Sequence, residues 1–205
     1  MLTKIRQKLQ AFMAAEAGIA HRVGLAPNGI SFIGLVLVFL SAIAYAQWEI
    51  SKQYLFLATV LLLLSGFCDA LDGVVARLYQ QTTVFGGFLD SLLDRYADSI
   101  VYLAIIVSGL CNLLLGLIAL VGALLVSYSR ARGEAAGILM ESVGVAERAE
   151  RLITLAIASV IAAIWEPIVV MSTAMLVLAI LSHITVVQRG VYVYNRLKKK
   201  EQVVS

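Results

Sequence analysis

Three long stretches of the chain carry no charge: the 26 residues between Arg22 and Glu49, the 31 from Ser99 to Ser129, and the 22 from Pro167 to Gln188. About 20 apolar residues suffice for a helix to cross a bilayer. The apolar positions never settle into ten-residue segments of strict alternation, and only two prolines interrupt them, which predicts helices rather than a closed barrel. As a single helix the 31-residue stretch would be about 46 Å long, well over the hydrocarbon thickness, so a turn at residues 109–112 divides it into two spans. Another apolar run follows Lys52 and stays uncharged for 16 residues before Asp69. Spans are therefore predicted over residues 29–47, 54–79, from 88 onward, beyond the turn at 109–112, and over 152–164 and 168–187. Upstream, Leu2, Ile5, Leu9, Phe12 and Met13 recur at helical spacing with Lys4, Arg6 and Lys8 among them, the pattern of a helix lying in the membrane interface. The expected architecture is an all-α integral membrane protein with six transmembrane helices preceded by an N-terminal amphipathic interfacial helix. Its parts are the interfacial helix at 1–22, a six-helix transmembrane domain at 23–190 and a basic cytosolic tail at 191–205.

Composition removes the alternative of a soluble domain. Hydrophobic residues make up 61% of the chain and charged ones 14%, against about 25% charged in ordinary soluble domains. Basic residues then orient the spans, because cytosolic loops hold the excess of Lys and Arg. Threading six spans puts 15 of the 16 basic residues on one side and leaves only Lys52 on the other. This predicts a multi-pass protein of the cell membrane with both termini cytoplasmic. The run VYNRLKKKEQ in the tail fits anionic lipid headgroups better than a nucleic acid, and no nucleic-acid partner is expected. Cys68 and Cys111 lie in apolar stretches without CxxC spacing, which speaks against a disulfide framework or a thiol metal site. The first residues have charges dispersed through them and no uninterrupted apolar core, so a cleaved signal peptide is not expected and Met1 is retained.

Every aspartate of the chain, at positions 69, 72, 90, 94 and 98, lies in one 30-residue window. Asp69 and Asp72 are three apart and share a face of the second span, while Asp90, Asp94 and Asp98 share a face of the third. Two antiparallel neighbours would bring both sets to the cytosolic end of the bundle. Four carboxylates at a membrane boundary repel one another unless cations neutralise them, and two divalent ions balance four negative charges. Oxygen-only ligation suits Mg²⁺ or Mn²⁺, two of which can clamp a phosphoryl-type displacement. His21 and His183 are distant in sequence, so zinc is not expected. A divalent-cation transporter would place acidic groups near mid-membrane and repeat them in two halves. Here they crowd one edge and no repeat is visible.

The segment Asp69-Ala-Leu-Asp72-Gly73-Val-Val-Ala76-Arg77, eight further residues, and Gly86-Gly-Phe-Leu-Asp90-Ser-Leu-Leu-Asp94 fit DxxDGxxAR(x8)GxxxDxxxD at all eight specified positions. This resembles the signature of the CDP-alcohol phosphotransferase family. The resemblance implies transfer of a phosphatidyl-type group from a CDP-linked lipid to an alcohol, with release of CMP, in membrane phospholipid biosynthesis. It implies Asp69, Asp72, Asp90 and Asp94 as ligands of two Mg²⁺ or Mn²⁺ ions per active site, with Asp94 also the catalytic base. It further implies CDP binding by Ser31, Asp69, Asp72, Gly73, Ala76, Arg77, Gly86 and Asp90, where Pro27-Asn28-Gly29-Ile30-Ser31 is similar to the family's PNxxT/S opening of the first span. A homodimer is implied as well. Asp98 lies outside the motif and is expected to make an interhelical or supporting hydrogen bond.

The acceptor is read from a basic loop. Ser127-Tyr128-Ser129-Arg130-Ala131-Arg132-Gly133-Glu134 and Glu147-Arg148-Ala149-Glu150-Arg151 are similar to the patterns of family members that use inositol phosphate. A phosphorylated acceptor brings about two negative charges and calls for guanidinium groups; Arg130, Arg132, Arg151 and Arg189 are the candidates. Ala149 stands where the bacterial pattern has proline, and the loop is short, both leaning towards the archaeal type. CDP-archaeol and CDP-diacylglycerol stay open as donors, and glycerol 3-phosphate stays open as the alternative acceptor.

Overall fold

In the computed structural model the backbone is described for residues 2–140 and 143–204, and side chains for 12–140 and 143–200. Among these residues the secondary structure is helical throughout: α1 (Leu2–Arg22), α2 (Pro27–Ala46), α3 (Gln53–Leu78), α4 (Val84–Val107), α5 (Leu113–Ala135), α6 (Arg148–Ile164) and α7 (Pro167–Val204). The breaks have local causes. Pro27 occupies the first turn of α2, where its missing N–H costs nothing. Thr83 caps α4 by accepting from the Gly86 amide at 2.9 Å, and Asn112 caps α5 by accepting from the Leu114 and Leu115 amides. Gly109, at φ +73°, makes the turn that divides the 31-residue stretch.

Four helices, α2, α3, α5 and α7, are long and apolar enough to cross a membrane, the mark of a multi-pass membrane protein. Six were expected, and the two that fall short do so for visible reasons. α4 carries Asp90, Asp94 and Arg95 in its first half and Asp98 just beyond it. α6 has only 17 residues and opens on Arg148, Glu150 and Arg151. The residues of the expected basic tail continue α7, which runs unbroken to Val204, since no proline follows Pro167.

The helices pack as a bundle in which α2 lies on α3 and α4, α5 on α4 and α7, and α6 on α3 and α7. Small residues line its centre: Ala58, Ala119, Ala123, Ala158, Ala162, Ala174 and Ala179 are buried among Val38, Leu55, Leu62, Ile105 and Met175. These let backbones approach closely where lipid outside is as apolar as the interior. Polar groups turn inward and pair there. Ser41 donates to the Ala58 carbonyl at 2.8 Å, and Tyr45 and Ser159 share a hydrogen bond of 2.6 Å that ties α2 to α6. α1 packs on α3 through Ala17 and Ala20, with the His21 ring stacked 3.7 Å from that of Tyr79. Leu2, Ile5 and Leu9, on which its amphipathic reading rested, lie outside the residues whose side chains are described.

The connection from α5 to α6 is held down by α7. Thr185 accepts from the amides of Val145 and Ala146 at 3.2 and 3.1 Å, and Arg189 donates from Nε to the Val143 carbonyl at 2.8 Å. Gly144 sits at φ +122°, and a Cβ there would meet Thr185 Cγ2 at 2.3 Å. Gly144→Ala therefore lowers stability by about 1–3 kcal/mol through strain and overpacking, readable as a fall in the thermal midpoint of the detergent-solubilised protein.

Candidate active site

Asp69 comes from the C-terminal half of α3 and Asp90 and Asp94 from the opening turns of α4, two helices joined by a short turn that both pack on α2. One oxygen of each carboxylate lies within 4.8 Å of the others. Such an all-oxygen, anionic donor set fits a hard divalent cation and has no sulfur or imidazole to favour zinc. These three are brought together as the sequence led one to expect. The fourth, Asp72, stands one turn along α3, where its carboxylate accepts a hydrogen bond from the Ser31 hydroxyl of α2. Ser31 thus reaches the aspartates.

Two clefts meet at the cluster. The narrower, about 250 Å³, is lined by Ser31, Asp72, Gly73, Ala76, Arg77, Gly86 and Asp90, together with Asn28 and the 81–83 turn. Seven of the eight residues expected to hold CDP are here; Asp69 is not, and instead borders the crevice next door with Ser31, Asp90 and Asp94. The Arg77 guanidinium lies over Gly73, where a Cβ would come within 3.3 Å of it. The wider cavity, about 810 Å³, is lined by Asp69, Asp94, Arg95, Arg130, Glu147, Arg148, Arg151 and Arg189, and by the apolar edge Leu63, Phe67, Leu152 and Ile153. Asp90 therefore joins the narrow cleft to the crevice, and Asp69 and Asp94 join the crevice to the wide cavity.

The arginines sort differently from the expectation. Arg132 does not border the wide cavity and is exposed. Its distance from Arg130 explains the correction: both stand on α5, and residues two apart on a helix face in nearly opposite directions. Arg130 borders the cavity with its Nε 2.9 Å from Glu134. Arg151 is 2% exposed and gives Nη2 to Asp98 at 2.6 Å and Nη1 to the Ala146 carbonyl at 3.0 Å. Asp98 thereby makes an interhelical hydrogen bond. Arg189, equally buried, is bound to the Val143 and Val126 carbonyls and lies 3.4 Å from Glu147.

Arg148 was not singled out by the sequence, yet it lies nearest the carboxylates. Its Nη1 is 2.6 Å from Asp69 and 2.7 Å from Asp94, and its Nε is 3.7 Å from Asp98. On the other side Arg95 Nη2 contacts Asp94 at 3.1 Å. The signal that could have found Arg148 is its spacing from Arg151: three residues apart on α6, both must face the same neighbours.

The CDP-alcohol phosphatidyltransferase family model matches residues 24–188. The chain is 41% identical over 198 residues to the archaetidylinositol phosphate synthase of Methanothermobacter thermautotrophicus, covering 97% of this chain and 96% of that one. It is 36% identical to the archaetidylinositol phosphate synthase of Pyrococcus horikoshii, covering 98% and 99%. Among solved structures it is similar to Mycobacterium tuberculosis phosphatidylinositol phosphate synthase with CDP-DAG bound, at TM-score 0.75 and 30% identity over 89% of this chain and 93% of that one. The same synthase has been solved in complex with manganese and citrate, at TM-score 0.75 and 29% identity over 89% and 88%. With a match across most of its length and relatives covered nearly end to end, the chain belongs to the CDP-alcohol phosphatidyltransferase family.

Proposed function

We propose that this enzyme transfers a phosphatidyl-type group from a CDP-linked lipid to inositol phosphate, releasing CMP, as a step in membrane phospholipid biosynthesis. The observation that carries this reading is the position of Asp69, Asp90 and Asp94 between a narrow cleft and a wide, arginine-bordered cavity. A two-substrate transfer requires two binding places that meet at the reacting phosphorus.

In this reading the cytidine diphosphate of the donor occupies the narrow cleft among Ser31, Asp72, Gly73, Ala76, Arg77 and Gly86, with Asp69 and Asp90 at its inner end. Asp69, Asp72, Asp90 and Asp94 are the residues that would hold two divalent ions, Mg²⁺ or Mn²⁺. When bound, such ions neutralise the diphosphate oxygens and stabilise the charge of the displacement. Asp94 faces the wide cavity, so it can take the proton of the acceptor hydroxyl as that oxygen attacks the lipid-bearing phosphorus. The bond from that phosphorus to CMP breaks, and CMP leaves through the narrow cleft. Arg130, Arg151 and Arg189 give the wide cavity the charge a phosphorylated acceptor needs. The similarity to archaetidylinositol phosphate synthases favours CDP-archaeol over CDP-diacylglycerol.

The six-span reading is supported by the outer surface. Leu103 and Val107 of α4, and Ile153, Ile157, Ile161 and Ile164 of α6, are exposed, as lipid-facing residues should be, and the charged turns of both helices lie at the cluster's end of the bundle. The same reading keeps α1 at the interface, residues 23–190 as the transmembrane domain, and the active site and both termini cytoplasmic. It also includes a homodimer, an expectation that rests on family resemblance.

The test is Mg²⁺-dependent CMP release from CDP-archaeol or CDP-diacylglycerol, with inositol phosphate, glycerol 3-phosphate, free inositol and serine offered separately. Release is expected with inositol phosphate alone. Turnover with glycerol 3-phosphate instead would keep the carboxylate machinery and move the acceptor assignment. A folded protein that releases no CMP with any of them is not this enzyme.

A further inference from the structure

Arg148 occupies an unusual place. A single nitrogen, Nη1, bridges Asp69 Oδ2 at 2.6 Å and Asp94 Oδ1 at 2.7 Å, inside a group of carboxylates whose oxygens lie within 4.8 Å of one another. Its Nε, like that of Arg151, is buried without a hydrogen-bond partner, and lies 3.7 Å from Asp98 Oδ1. The contacts of the guanidinium are thus to carboxylates, and among the described residues no backbone carbonyl holds it. Arg151, one turn further along α6, is the contrast: both terminal nitrogens are engaged, one with Asp98 and one with the Ala146 carbonyl. Arg148 is also less enclosed, with 19% of its side chain exposed against 2% for Arg151, and it borders the wide cavity.

A divalent ion ligated by Asp69 Oδ2 and Asp94 Oδ1 would compete with Nη1 for the same oxygens. Magnesium sites hold their oxygens at about 2.0–2.1 Å, so ion and guanidinium nitrogen cannot both sit between the same two oxygens. Two adjacent cations would also repel. Conversely, without either cation the carboxylates would be clustered at a membrane edge with nothing to offset their charge.

We propose that Arg148 is the internal counter-cation of these carboxylates, and that metal binding exchanges for it and releases its guanidinium into the wide cavity. The proposal rests on the carboxylates being the metal site of the proposed function. Arg148 is thus a positioning residue that links the two clefts. Metal loading adds a free guanidinium to the acceptor side, so metal and an acceptor anion each strengthen the binding of the other, as linkage requires.

The experiment uses the full chain in detergent, stripped of metal and then treated with phenylglyoxal, which reacts with free guanidinium groups, with and without Mn²⁺. Mass spectrometry reads the adduct at each arginine, and electron paramagnetic resonance reads free Mn²⁺. Mn²⁺ is expected to raise the adduct at Arg148 several-fold and leave that at Arg151 unchanged. Arg148→Gln is expected to bind Mn²⁺ about tenfold more tightly than the wild type, a change within the usual range of site-to-site coupling. If the wild type binds Mn²⁺ while the Arg148 adduct stays constant or falls, or if Arg148→Gln binds no more tightly, the exchange is overturned and the metal site stands. If neither form binds Mn²⁺, the metal reading itself fails and takes the exchange with it.

Discussion

Asp94→Asn is expected to lower CMP release by about a hundredfold to ten-thousandfold, the range over which general bases act, while the CDP-lipid still binds. The geometry separates the two effects. Asp94 borders the crevice and the wide cavity but not the narrow cleft, where Asp72 and Asp90 remain to meet the nucleotide. Asparagine has the same shape and keeps one carbonyl oxygen, so packing is preserved, but it carries no charge and cannot accept a proton at neutral pH. It also removes the charge partner of Arg95 and part of that of Arg148. Steady-state release of CMP with inositol phosphate, paired with equilibrium binding of the CDP-lipid, separates a lost base from a lost donor site. A variant that turns over near the wild-type rate would remove Asp94 from the chemistry and shift the base to another group at the cluster, for which Asp69 is placed.

What the chain discloses before folding depends on the range over which each feature acts. Apolar stretches and the eight-position motif are local and periodic, and the helices that carry them begin within a few residues of expectation, although α7 runs well past the expected end of the last span. The pairing of Asp69 with Asp90 and Asp94 was legible because one short turn joins their helices, leaving few ways to place them. The arginines were not legible in this way. Arg130 and Arg132 look equivalent in a segment read as a loop, and only the continuation of α5 to Ala135 turns one to the cavity and the other to solvent. Arg148 and Arg151 belong to one repeated Glu-Arg pattern, yet one meets Asp69 and Asp94 and the other Asp98. Their spacing puts both on one face of α6, but which carboxylate each meets at short range is set by how that face is turned against α3 and α4, a product of packing.

Arg151→Leu is expected to destabilise the protein by about 3–5 kcal/mol, because removing one partner of a buried ion pair leaves the other charge uncompensated. Asp98 is 13% exposed and Arg151 2%, at 2.6 Å. Losing the guanidinium would also free the Ala146 carbonyl, which anchors the end of the α5–α6 connection. The nearest remaining cation, Arg148, stands 3.7 Å from Asp98 and is held by two other carboxylates, so it cannot stand in without leaving them. Replacing both partners, Arg151→Leu with Asp98→Leu, is expected to recover much of the lost thermal stability, since a buried pair exchanged for apolar side chains is often neutral. CMP release with inositol phosphate is not expected to recover with it, because the double variant still lacks one of the charges that border the wide cavity. Thermal melts in detergent and acceptor saturation curves on the same preparations separate these two outcomes. A single variant that melts with the wild type would show that the pair contributes nothing to holding α4 and α6 together. A double variant with wild-type turnover would leave Arg130 and Arg189 to meet the acceptor phosphate.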